Sequence, residues 1–358
     1  MKSQKHSWMR MALCLLPVCL GAVSARASDN QWLRPLDTND PLIWGRRDGI
    51  VFGLPSEGGM RGPRGLIRIG IFDQKAQEAK LVNFVAIEPV VPGAGSRYGR
   101  LGFSELEPSQ LDPGRRGKRL WVPSRTSEGD LVAGELITLP ARPDAIEQLS
   151  IRIEVEPFVA NNAHVYLVAS IRGDKPDEVR FEVYHHADSA PIEELTLTAT
   201  MGNYERLRHL WLADRVVKSL ELYGEMDVNA SGFMDSENYT LSEMLRYGDG
   251  DALVLATTDE DDPSVVRVQE RPFWTYQGPK LTQYWRVPAF HIQPDLRVKV
   301  NGRRTYWRSD IAIPGGEAFE NIELRQRYVP GQVFVFGLNP KPPQEFAPRI
   351  PRLGSPAE

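Results

Sequence analysis

Ser150-Ile151-Arg152-Ile153-Glu154-Val155 and Arg180-Phe181-Glu182-Val183-Tyr184 exchange apolar for polar at every step. Side chains on a strand alternate between the two faces of a sheet, so each stretch reads as a β-strand with one core face and one wet face. Working outward, runs rich in β-branched and aromatic residues recur at 50–54, 65–72, 81–91, 164–171, 195–200, 252–258, 265–268, 284–290, 296–300 and 332–338. Gly, Pro, Asp and Asn clusters separate them, the punctuation of short strands. Gly (30) and Pro (28) make up 58 of 358 residues, which favours turns over long helices. No β/α alternation and no repeat of fixed period is visible, so Rossmann folds, (β/α)₈ barrels and propellers are disfavoured. The expectation is an all-β fold, a large antiparallel β-sandwich with at most one or two short helices. Only 205–222 has helix length, with Leu207, Leu210, Trp211 and Val217 loosely spaced, and its second half reads equally well as a strand. Residues 242–247 suggest a helical turn.

Residues 1–27 read as a signal peptide. Lys2, Lys5 and Arg10 precede an apolar run over 11–23, and Ala25-Arg26-Ala27 offers small residues at a cleavage site. The run is shorter than the roughly 20 residues a membrane span takes. Without this segment four basic residues drop out, and the net charge of -4 becomes -8, 39 basic against 47 acidic. Cys14 and Cys19 leave with it, so the remainder has no disulfide or thiolate chemistry. We therefore expect a periplasmic or secreted bacterial protein with no membrane span after cleavage. Residues 28–338 read as one sandwich domain, the rival being two that meet near Arg142–Pro143, and 339–358 as a Pro-rich, extended or disordered tail.

The acidic balance argues against nucleic acid as a partner. Gly-x-Ser-x-Gly, Walker and His-Glu-x-x-His motifs are missing, which disfavours the usual serine hydrolases, nucleotide enzymes and zinc proteases. No cofactor is implied. A metal is not expected either: 227–238 imitates a calcium loop but ends on Asn238, where a bidentate Glu is needed.

The densest polar stretch is Asn203-Tyr204-Glu205-Arg206-Leu207-Arg208-His209. His209 and Tyr204 are of the type that moves protons, and Asn203, Arg206 and Arg208 of the type that neutralises or forks onto a substrate. The competing reading is a helix start with a solvated basic face. His185, in Tyr184-His185-His186, is a second acid/base candidate, against a plain surface strand end. Glu88 closes the apolar run 82–87, and its neighbours read as buried, which makes it the preferred carboxylate over Glu105 and Glu107. Trp274 and Trp285 lie in turn-rich sequence beside Lys280 and Arg286. They read as sugar-stacking platforms or as core.

The stretches 197–212, 83–89 and 102–107 resemble segments of uncharacterised exported bacterial proteins. Phe319-Glu320-Asn321-Ile322-Glu323-Leu324 with Pro330-Gly331-Gln332-Val333-Phe334-Val335-Phe336-Gly337 is similar to the last strands of galactose-mutarotase-like supersandwich proteins. That fold hosts epimerases and domains of polysaccharide lyases and glycosidases, so the resemblance implies a saccharide ligand. The expected function is carbohydrate processing or binding, by lyase, epimerase or hydrolase chemistry if catalytic. The alternative is a non-catalytic periplasmic binding or scaffold protein.

Overall fold

The computed structural model describes residues 31–36, 40–54, 65–92, 118–123, 134–139, 145–159, 161–200, 205–224, 233–234, 237–263, 276–306, 310–347 and 350. The strands in chain order are β1 (Trp32–Leu33), β2 (Ile43–Arg46), β3 (Ile50–Gly53), β4 (Ile67–Asp73), β5 (Glu78–Val90), β6 (Leu120–Trp121) and β7 (Glu135–Leu139). They continue as β8 (Ile146–Val155), β9 (Val165–Arg172), β10 (Lys175–His185), β11 (Glu194–Thr200), β12 (His209–Trp211), β13 (Val216–Lys218) and β14 (Glu237–Thr240). The last are β15 (Leu245–Tyr247), β16 (Asp251–Thr257), β17 (Thr282–Val287), β18 (Arg297–Arg303), β19 (Ala318–Arg327) and β20 (Gln332–Asn339). Two short α-helices, α1 (Ser219–Tyr223) and α2 (Pro343–Phe346), complete the described elements together with two single 3₁₀ turns.

The strands form two antiparallel sheets. The first has nine strands in the order β1-β2-β3-β4-β5-β11-β19-β18-β14. The second has eleven: β13-β12-β16-β17-β20-β10-β9-β8-β6, with β15 paired to β16 and β7 to β8. The protein is an all-β sandwich, as its alternating strands predict. In β10, Val179, Phe181 and Val183 are fully buried while Arg180 and Glu182 point outward. One continuous core contains those three residues with Leu195 and Leu197 of β11, Ile322 and Leu324 of β19, and Phe334 and Phe336 of β20.

The helix-length reading of 205–222 is corrected. β12 and β13 pair as a hairpin there, and only Ser219–Tyr223 is helical. Leu212 N–H donates to the Arg215 carbonyl at 2.9 Å, closing the turn at Ala213-Asp214. Arg215 then holds Asp214 at 2.9 Å and Glu243 at 2.6 Å. Pairing of β12 with β16 outweighs a weak 3.6-residue pattern. The 242–247 segment divides into a 3₁₀ turn, Leu241–Glu243, and β15.

A second, smaller apolar cluster lies on the outer side of the eleven-stranded sheet. It comprises Trp211, Leu245, Leu253, Leu255, Tyr284, Val333, Val335 and Ala347. Ala347 follows α2, so the start of the Pro-rich segment is packed onto the sheet. Thr282 Oγ1 donates to the Lys341 carbonyl at 2.7 Å and fixes its path. Among the described residues no helix is long and apolar enough to cross a membrane.

Candidate functional site

The outer face of the nine-stranded sheet departs from the usual solvated surface. Register puts Glu88 (β5), Thr196 (β11), Arg325 (β19) and Arg297 (β18) in one cross-strand row. The next row is Ala86, Thr198, Glu323 and Lys299, and the third is Phe84, Thr200, Asn321 and Asn301. The opposite side of the same strands carries Ile87, Leu197, Leu324 and Val298, which belong to the core. Period-two alternation therefore sets a polar face against an apolar one across the central strands. Glu88, Thr196, Thr198, Glu323 and Asn321 are all at most 1% exposed.

Buried charge on this face is arranged in pairs. Glu194, at the start of β11, accepts from Arg297 at 2.5 Å and from Arg325 at 2.7 Å. Arg325 also stands 3.5 Å from Glu323. Among the described residues neither Glu323 oxygen closes a hydrogen bond, and the Thr196 and Thr198 hydroxyls are likewise without one. Thr198 faces Glu323 and weakly favours its anion, short of a well-formed bond. Burial pushes the Glu323 carboxyl up to about 8, against the pull of Arg325 and Lys299. Burial also lowers the Lys299 ammonium, while Glu323 and Glu88 hold it up. On this face Glu88, Glu194 and Glu323 stand among Arg297, Lys299 and Arg325. At the end of the face Glu320 is pushed by burial to about 7, with Arg303 at 3.8 Å and the Thr200 hydroxyl donating at 3.4 Å.

Of the described residues singled out from sequence, only Glu88 lies on this face. Asn203, Tyr204 and Trp274 lie outside the described residues, as do Glu105 and Glu107 and most of the calcium-like loop. Trp285 is fully buried between the sheets, edge-on to Phe336 at 5.2 Å between ring centres. The stacking-platform reading is thereby corrected in favour of core. Arg208 is also redirected from substrate to structure. The residue is 1% exposed, and its guanidinium donates to the carbonyls of Pro314, Gly315 and Gly316 at 2.8–3.0 Å. Arg206 is held by Asp259 at 2.7 Å and Glu260 at 3.3 Å. Between the sheets, Asn83 donates to Gln283 at 2.6 Å, and Gln283 to Glu205 at 2.7 Å. Burial pushes Glu205 up to about 8, so this chain of groups is neutral near pH 7.

Four of the described histidines fall in two places. His185 meets the Tyr328 hydroxyl at 3.0 Å, while His186 meets Glu154 at 2.8 Å and stacks on His164 at 4.0 Å between ring centres. His164 is itself 2.8 Å from Asp188. These rings lie at the β9–β10 end of the second sheet. His209 lies at the other end of that sheet, in a cavity of about 440 Å³ whose wall includes Trp211, Asp259, Asp261, Lys280 and Pro340–Gln344. Burial lowers its imidazole, partly countered by Asp259, so the ring is neutral near pH 7. The structure thus separates His209 and Glu88, which sit on different sheets. Among the described residues no group of three or more His, Asp or Glu could hold a metal ion.

The residue missed in sequence is Glu323. Its signal was present: Glu323 and Arg325 alternate with Ile322 and Leu324, opposite the alternating Thr196, Thr198 and Thr200.

No family model and no curated protein matches the chain. Among solved structures it is similar to the alpha-galactosidase from Lactobacillus brevis, at 7% identity and a TM-score of 0.27. The likeness covers 78% of this chain, which spans 39% of the length of that one. At that level it assigns neither activity nor ligand.

Proposed function

We propose that this protein is an exported, saccharide-processing protein working by acid–base chemistry on the outer face of the nine-stranded sheet. The supporting observation is the Glu323 carboxyl: fully buried, without a hydrogen bond among the described residues, and held protonated near neutral pH. A carboxylic acid of this kind can donate its proton to a glycosidic or ring oxygen. Glu88, on the far side of β11, supplies a second carboxyl group. Strand spacing puts the two Cα atoms about 12 Å apart, a diagonal across two strands that long side chains can narrow. Arg325 and Lys299 provide positive charge for an acidic sugar or a developing oxyanion.

The test is a thermal-shift screen of residues 28–358 against neutral and uronic-acid oligosaccharides, followed by product analysis. A saccharide bound only by the folded state raises the melting temperature with concentration. Glu323→Gln should keep the fold and lower turnover by roughly 10²–10⁴. Full turnover in that variant would remove Glu323 from the chemistry. If no saccharide raises the melting temperature, the scaffold reading replaces this one, with the charged face serving to fix strand register.

A further inference from the structure

The His209 cavity lies on the outer side of the second sheet, and the acid–base reading above makes no use of it. Its floor is sheet: His209 and Trp211 of β12, Thr257 at the end of β16 and Thr282 at the start of β17. Its outer wall is the Pro-rich segment, where Pro340, Pro342 and Pro343 line the space. That wall is held in place. Thr282 donates to the Lys341 carbonyl, Lys341 N–H donates to Asn339 Oδ1 at 2.8 Å, and Ala347 packs in the cluster containing Trp211. Proline rings fix the backbone further, so the cavity exists before any ligand arrives. Its volume of about 440 Å³ falls in the range of small-molecule sites.

The chemistry of the lining narrows the ligand. Trp211, Leu281 and the prolines offer apolar surface to the CH face of a ring. Several polar groups are already committed. The Trp211 indole donates to Thr257 at 3.1 Å, the Thr282 hydroxyl holds the tail, and Asp259 is taken by Arg206. Among the described lining residues, the side chains that remain to address a ligand are those of His209, Asp261, Lys280, Lys341 and Gln344. A neutral imidazole both donates and accepts, a carboxylate accepts and an ammonium donates, which is the mixture that hydroxyl groups satisfy. The charges at the lining cancel once the Arg206 cluster is counted whole: Asp259, Glu260 and Asp261 against Arg206, Lys280 and Lys341. An anionic ligand therefore finds no net attraction.

We propose that this cavity is a second binding site, selective for an uncharged, hydroxyl-rich ring such as a neutral disaccharide. It lies on the other sheet from Glu323, so the two proposals fail separately. The experiment titrates the protein with maltose, cellobiose and lactose, with sodium glucuronate as the anionic control. It follows the His209 ring resonance by NMR and the tryptophan fluorescence. At least one neutral disaccharide should give a saturable shift at His209, and glucuronate a weaker one. Asp261→Asn and Lys280→Ala, both at exposed positions, should each weaken binding about tenfold, and Glu323→Gln should leave it unchanged. Far-UV circular dichroism checks that the variants fold. The proposal is overturned by no saturable shift at His209 up to about 50 mM of any of the three sugars, a concentration that fills a millimolar site. Glucuronate binding as tightly as the neutral sugars would overturn it too, as would binding that survives both cavity variants or is lost in Glu323→Gln.

Discussion

Replacing Glu323 by Gln leaves shape nearly constant and removes a proton that the folded state holds far more tightly than the unfolded one. The folded carboxyl titrates near 8, against 4.5 for an exposed glutamate. At roughly 1.4 kcal/mol per tenfold change, that difference amounts to ~5 kcal/mol of preference for the protonated native state. The sign follows from proton counting. Below about pH 4.5 both states carry the proton, and its contribution to stability is fully present. Between about 4.5 and 8 the unfolded chain loses it first, so wild-type stability falls as pH rises, levelling off above about 8. Lys299 and Arg325 share this field, and their rearrangement around the anion should absorb part of the loss, leaving about 3–5 kcal/mol. Glutamine cannot ionise. The cost of its buried amide is the same at both ends of the window and drops out of the difference. Urea unfolding of wild type and variant near pH 4.5 and near pH 8.5 measures it: relative to wild type, Glu323→Gln should gain about 3–5 kcal/mol on going to the higher pH. Parallel pH profiles would refute the reasoning and mean that the native carboxyl is ionised throughout.

Other expectations concern structure. Arg208→Ala should strip the carbonyls of Pro314, Gly315 and Gly316 of their shared donor and cost about 3 kcal/mol or more in chemical denaturation. Gly337 of β20 lies beneath the Tyr284 ring, where an added Cβ would meet the ring at 1.9 Å. Gly337→Ala should therefore lower stability by roughly 1–3 kcal/mol, and Tyr284→Ala combined with it should relieve that clash in a double-mutant cycle. Trp285→Ala should cost about 3–5 kcal/mol through cavity formation, measured by urea unfolding, yet leave saccharide affinity unchanged in the folded fraction.

Strand content was legible wherever one face is wet, as in Arg180–Tyr184, because alternation then survives in the sequence. The nine-stranded sheet was harder to read. Threonine suits a strand whichever way it points, so Thr196, Thr198 and Thr200 marked a strand without marking its polar face. Glu88 could be picked out because one charge closes a long apolar run. Glu323 was hidden because its partners, Thr198 and Lys299, come from distant strands that only pairing brings alongside. His209 was singled out with Arg206 and Arg208 as one cluster. The backbone leading into β12 separates them, the two arginines taking up loop carbonyls and acidic neighbours while His209, the first residue of the strand, lines the cavity.

The position of β19 and β20 governs the order in which the molecule can be assembled. β19 lies between β11 and β18 in one sheet, and β20 between β17 and β10 in the other. Each sheet is therefore divided into two halves until the final pair of strands has been synthesised. A ribosome-bound chain that ends before Ala318 has paired strands on both sides of each gap and, among the described residues, no strand to join them. Closure of the sandwich is then a late, long-range event, of the kind that folds slowly and exposes strand edges while it waits. Nascent chains stalled before 318 should be protease-sensitive along most of their length, and release of the last strands should convert them together to a resistant form.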